Sequence, residues 1–351
     1  MAQNLNFDTA PTNAIVGVSG TVLSTDERAL FKEIRPAGMI LFARNIDSPS
    51  QLRELTNSFK EITDNPYALI LIDQEGGRVS RLPKPHWRIP PSPTRFAALY
   101  QRSKQAALKA CELNYQLIGD DLKKMGINVN CAPMLDIPQK NASTVVTDRA
   151  LGDSPEQVIA LGHATIAGLK HCGVEPVIKH APGHGRATLD SHKALPRVDD
   201  SLKSLAEWDF LPFAHFSQET MLMTAHILYS DIDKNVPGTL SSKVINNVIR
   251  KHLNFDGLIM TDDIDMHALQ GSTYEKAKNA LSAGCDLVLQ CSGRFEDLKD
   301  LSASLEVLSG RALERYINAC KSASKPANEI DNEAVLAEMS DIFATHAIAT
   351  D

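Results

Sequence analysis

Eight short apolar runs, each separated from the next by a longer amphipathic stretch, most narrow what this chain can fold into. They cover residues 14–18, 39–42, 68–72, 127–132, 174–178, 221–225, 258–261 and 286–289. Such alternation is the signature of βα units around a parallel sheet. Helix starts fall between the runs: Ser24-Thr25-Asp26 before "ERALFKEI", Ser48-Pro49-Ser50 before "QLRELTNSFKEI", and Ser154-Pro155-Glu156 before "QVIALGHATIAGLKHC". Eight strands with intervening helices predict an α/β fold of the (β/α)8 TIM-barrel type in a single domain. A doubly wound open sheet would give a similar string, but Gly17 and Gly20 in "VGVSGTVL" have the wrong spacing for a dinucleotide-binding G-x-G-x-x-G.

A chain of 351 residues is long enough for one such barrel. We assign residues 1–325 to it. The polar linker "KPANEID" then leads to Val335, Leu336, Met339, Ile342 and Phe343 at helical spacing, so residues 326–351 are expected as a linker and a helix packed on the outside. Hydrophobic residues make up 43% and charged residues 23%, the balance of an ordinary globular protein. The formal net charge of -7 argues against nucleic acid as a partner, so an anionic substrate must be met by local cations. The N-terminal stretch lacks a basic n-region and an apolar h-region, and no run reaches the roughly 20 apolar residues of a membrane span, so a cytoplasmic protein is expected. Six cysteines form no C-x-x-C pair and read as reduced, structural thiols.

In a barrel, the carboxyl ends of the strands converge on one mouth. Polar residues are concentrated there: Arg44 and Asn45 after the second run, "DQEGGRVSR" (residues 73–81) after the third, Asp136 after the fourth, Lys179 and His180 at the fifth, His226 after the sixth, and Asp262, Asp263 and Asp265 after the seventh. The segment "VIKHAPGHGRATLDSHKALP" (residues 177–196) could in principle hold a metal, hold a phosphate or move protons. Pro182-Gly183 denies His180 and His184 the regular helix that would put both on one face, so no metal is expected. No Lys-Ser or Lys-Thr pair follows the glycines, as a phosphate loop would require. Proton transfer remains. Asp190 stands two residues before His192, close enough to hold one ring nitrogen and leave the other for substrate. Strand alternation predicts that only one of Asp262 and Asp263 aims into the mouth, without saying which.

Taken together, "GMILFARN", "LIDQEGGRVSRL", "NVNCAPMLDI", "KHAPGHG" with "DSHK", "TAHILYSDID" and "FDGLIMTDDIDM" occur in an order that resembles the single-domain bacterial β-N-acetylglucosaminidases of glycoside hydrolase family 3, which serve peptidoglycan recycling. Ala181 stands where that family usually has phenylalanine. The resemblance implies a (β/α)8 barrel without cofactor, with Asp262 as nucleophile and His192 as general acid/base oriented by Asp190. It also implies that Asp73, Arg81, Arg149, Lys179 and His180 bind the sugar bearing the acetamido group. The expected activity is retaining exo-hydrolysis of terminal N-acetylglucosamine from 1,6-anhydro-muropeptides through a glycosyl-aspartate, by a monomer. A β-glucosidase or β-xylosidase of the same broad family and a non-catalytic sugar-binding barrel are the alternatives.

Overall fold

Each apolar run overlaps a strand of one parallel sheet. The computed structural model describes residues 10–139, 144–191 and 194–348. Its strands are β1 (Thr12–Gly17), β2 (Pro36–Leu41), β3 (Leu69–Ile72), β4 (Val129–Asn130), β5 (Glu175–Pro176), β6 (Ile178–Ala181), β7 (Arg197–Val198), β8 (Met221–Thr224), β9 (Leu228–Tyr229), β10 (Leu258–Asp263) and β11 (Leu287–Gln290). Nine of them pair in the order β5-β4-β3-β2-β1-β11-β10-β8-β6. The first and last in this order are consecutive in the chain, because the fifth run is interrupted at Val177. The sheet is therefore an eight-membered barrel with one member in two pieces. Closure is completed by Leu135 N–H donating to the Lys179 carbonyl at 2.7 Å and Val177 N–H donating to the Asn130 carbonyl at 2.9 Å.

Alternation along the strands separates two apolar layers. Ile15, Ile40, Leu69, Leu71, Leu258, Met260, Leu287 and Leu289 fill the barrel interior. Their neighbours Ala14, Val16, Met39, Leu41, Ile70, Ile259 and Val288 face the surrounding helices. The helices begin where the serine caps predict: Thr25–Ile34 after Ser24, whose side chain and Glu27 form a reciprocal capping box, Pro49–Ile62 after Ser48, and Pro155–His171 after Ser154. All six cysteines are buried and unpaired.

The helix Asn332–Thr345 is capped by Asp331 and buries Met339 and Phe343. The Phe343 ring lies 5.6 Å from that of Phe96. Val335 and Ile342 pack beside them, a stripe at i, i+4, i+7 and i+8 that leaves Leu336 off the packed face and 43% exposed. One element has no counterpart in the sequence reading: β7 pairs with β9 in a two-stranded ribbon. It ties down the far end of the long loop after β6, where Leu228 N–H donates to the Pro196 carbonyl.

Candidate active site

The carboxyl ends of the strands open on a cleft of about 430 Å³ lined by Asp73, Arg81, Arg149, Lys179, His180, Asp190 and Asp262, among others. Parity along β10 explains Asp262: Leu258 and Met260 point into the barrel, so the carboxylate two residues on caps the same interior column. The expectation that its neighbour would turn away is corrected, since Asp263 lines the cleft as well. The pairing of β10 with β11 shifts register between Met260 and Asp263, which breaks the strict alternation at the strand end.

One wall is an ion-pair cluster. Lys179 is almost completely buried; its ammonium lies 2.8 Å from Asp73 Oδ1 and 2.6 Å from Glu75 Oε1. Arg149 grips Glu75 with both arms, Nε to Oε2 at 2.8 Å and Nη2 to Oε1 at 2.6 Å. Arg81 reaches Asp73 Oδ2 at 3.4 Å, and its buried Nε–H has no partner among the described residues. Burial opposes ionisation of Asp73 and Glu75, but Lys179 with Arg81 on the first and Arg149 with Lys179 on the second hold both below the usual carboxylate range. Four of the five sugar-binding candidates thus form one connected cluster, joined through Glu75.

His180, the fifth, follows Lys179 across a cis peptide and sits between two carboxylates. Its Nδ1 is 2.7 Å from Asp136 Oδ2, and its Nε2 is 4.0 Å from Asp262 Oδ2. Asp262 is buried, which by itself would raise its pKa. His180, His226, the Asp263 N–H and Lys179 reverse that and keep it ionised. The buried His184 ring also lines the cleft, and burial lowers its pKa to about 4, leaving it neutral.

Asp263 behaves differently. Burial, reinforced by Asp265, raises its pKa to about 7, although N–H groups of Asp265 and Cys291 pull the other way. A carboxyl group whose pKa is higher folded than unfolded costs stability as pH rises from the unfolded value near 3.8 to the folded one. The cost is absent in acid and complete above pH 7. Both N–H donors bond the same oxygen, Oδ1, so Asp263→Asn keeps them and removes the charge. The variant is expected to match wild type at pH 4 and to be more stable by about 1–2 kcal/mol at pH 8, solvent from the cleft screening part of the full effect. Thermal unfolding at the two pH values checks this; equal gains at both would disprove the titration argument.

Other residues of the mouth have structural roles. His226 is buried outside the cleft lining, with Nδ1 2.7 Å from Thr239 Oγ1 and Nε2 2.9 Å from the Asp263 carbonyl. Asn45 staples the loop after β1 by donating to the Val18 and Gly20 carbonyls. Arg44 donates to the Val18 and Cys291 carbonyls, and Arg78 pairs with Asp148 at the rim. Asp190 lines the cleft, half-buried; His192 lies outside the described residues. Sequence reasoning placed Asp136 at the mouth without a role, and it left Glu75 out of the site. Their position after the third and fourth strands was the available signal. Among the described residues no three His, Cys, Asp or Glu side chains gather as metal ligands, and no helix is long and apolar enough to cross a membrane.

A model of the glycosyl hydrolase family 3 N-terminal domain matches residues 14–320. The chain belongs to glycosyl hydrolase family 3. The beta-hexosaminidase of Alkalilimnicola ehrlichii is 38% identical over 282 residues, covering 79% of this chain and 80% of that one. The beta-hexosaminidase of Methylococcus capsulatus is 35% identical over 323 residues, 91% and 93% of the two chains. Among solved structures, NagZ from Neisseria gonorrhoeae in complex with N-trifluoroacetyl-D-glucosamine superposes with a TM-score of 0.82 at 28% identity, covering 97% of each chain. This family 3 protein is accordingly a glycoside hydrolase of the β-N-acetylhexosaminidase type.

Proposed function

We propose that the enzyme is a retaining exo-β-N-acetylglucosaminidase that removes terminal N-acetylglucosamine from 1,6-anhydro-muropeptides in cell-wall recycling, as a cytoplasmic monomer. The observation that carries this reading is Asp262, an ionised carboxylate on the floor of a cleft whose walls are hydrogen-bonding groups suited to sugar hydroxyls. Asp262 attacks the anomeric carbon and forms a glycosyl-aspartate; the aglycone oxygen departs with a proton from His192. The same imidazole, now neutral, takes a proton from water, whose oxygen displaces Asp262 with overall retention. Asp190, within the cleft wall, orients His192. Asp73, Arg81, Arg149, Lys179 and His180 hold the sugar, and the Nε–H of Arg81 supplies a donor with no acceptor among the described residues. The complex of the Neisseria protein with N-trifluoroacetyl-D-glucosamine supports a glucosamine-type sugar in this cleft. The mouth cations suit the carboxylate of an anhydro-muropeptide despite the acidic total.

Nitrophenyl N-acetylglucosaminide and nitrophenyl glucoside test the assignment side by side. Wild type is expected to turn over the first in strong preference to the second, and His192→Ala to lower kcat/KM by about 10²–10⁴-fold. Equal turnover of both glycosides, or an unaffected variant, contradicts the reading.

A further inference from the structure

Asp136 follows β4, and no part of it reaches solvent. Its carboxylate accepts three N–H groups: the His184 backbone on Oδ1 at 2.6 Å, the His180 ring on Oδ2 at 2.7 Å, and the His180 backbone at 3.3 Å. Burial opposes ionisation, yet His180 and His184 hold Asp136 below the usual carboxylate range. An ionised carboxylate only accepts, so the ring nitrogen facing it must carry hydrogen. Nε2, on the other side of the ring, is 4.0 Å from Asp262 Oδ2, and His180 lines the cleft.

We propose that Asp136 is a positioning residue that holds the His180 ring by its Nδ1–H, so that Nε2 meets the bound sugar beside Asp262. This rests on the reading of Asp262 as nucleophile and of His180 as a sugar-binding residue. A ring so held cannot turn, and its Nε2 keeps one direction toward the sugar hydroxyls. The direction of one sugar contact is thereby set by a carboxylate that never touches sugar.

Asparagine at this position removes the acceptor for that ring N–H. The His184 N–H has no alternative to donating, so the amide oxygen of Asp136→Asn stays on that side and its NH₂ faces His180 Nδ1. The ring then faces a donor where it had an acceptor, and nothing there holds Nδ1–H. With nitrophenyl N-acetylglucosaminide, Asp136→Asn is expected to lower kcat/KM on the order of 10²-fold, the usual consequence of a misaligned contact at the reacting centre. In a His180→Gln background the same substitution is expected to change kcat/KM by less than about twofold, because its target is gone. Losses that multiply in the double variant overturn the proposal, since they assign Asp136 to scaffolding alone. Wild-type protein labelled with ¹⁵N-histidine decides the matter even where a variant fails to fold: His180 Nδ1 is expected to carry hydrogen, and an unprotonated Nδ1 overturns the proposal. An Asp262→Asn variant that keeps full activity would instead remove the nucleophile reading and leave the Nδ1–H measurement standing.

Discussion

Asp262→Asn is expected to lose on the order of 10⁴–10⁶-fold in kcat toward nitrophenyl N-acetylglucosaminide, the scale seen when a covalent nucleophile is removed. The fold should survive. The Asp263 N–H that donates to Asp262 Oδ1 at 2.8 Å finds the same oxygen in the amide, and the neutral group relieves burial of a charge. What the variant lacks is the anionic oxygen needed to bond the anomeric carbon. Intact-protein mass after incubation with a 2-fluoro glycoside should show an adduct on wild type and none on the variant. Activity within tenfold of wild type, or an inverted product from wild type, ends the proposal of a glycosyl-aspartate.

The largest stability effect is expected at Glu75. Its side chain is nearly inaccessible and is the partner shared by Arg149 and Lys179. Glu75→Ala takes away both of Arg149's charge-assisted hydrogen bonds to that carboxylate and one of the two contacts of Lys179, leaving excess positive charge in the interior. Breaking such a buried pair from one side costs about 3–5 kcal/mol. Glu75 is held below its ordinary pKa near 4.5, so its contribution is complete above the unfolded value. It is lost only as pH falls through the lower folded value. Urea unfolding at pH 7 therefore reports the full difference, which should shrink only in strong acid. A change under about 1 kcal/mol, the scale of an exposed pair, would show that the cluster relaxes around the missing carboxylate.

Local signals accounted for much of this molecule. The eight runs and the caps at Ser24, Ser48 and Ser154 follow from patterns that a short window contains, whereas alternation left open which of Asp262 and Asp263 points inward. The split at Val177, the β7–β9 ribbon and the register shift before Asp263 depend on which strand lies alongside. Asp136 and His180 are 44 residues apart, and Glu75 and Arg149 are 74 apart. Nothing near any of the four announces its partner. Sequence reading therefore brought Asp73, Arg81, Lys179, His180 and Asp262 to the mouth, whereas which of its charged groups neutralise one another emerged only from the folded arrangement. His226 illustrates the same limit from the other side: its place after the sixth run suggested chemistry, and its two ring nitrogens are spent on Thr239 and the Asp263 carbonyl.

The break at Val177 gives the barrel a seam beside β4, closed by backbone bonds on either side of the break and laced from above by side chains. Asp136 to His180 and Asp73 to Lys179 are the laces, each running from the β3–β4 side to β6. On the proposed reading, a sugar held by Asp73, Lys179 and His180 bears on three of the four laced groups, so that occupancy of the cleft and cohesion of the whole cylinder are linked through a single joint.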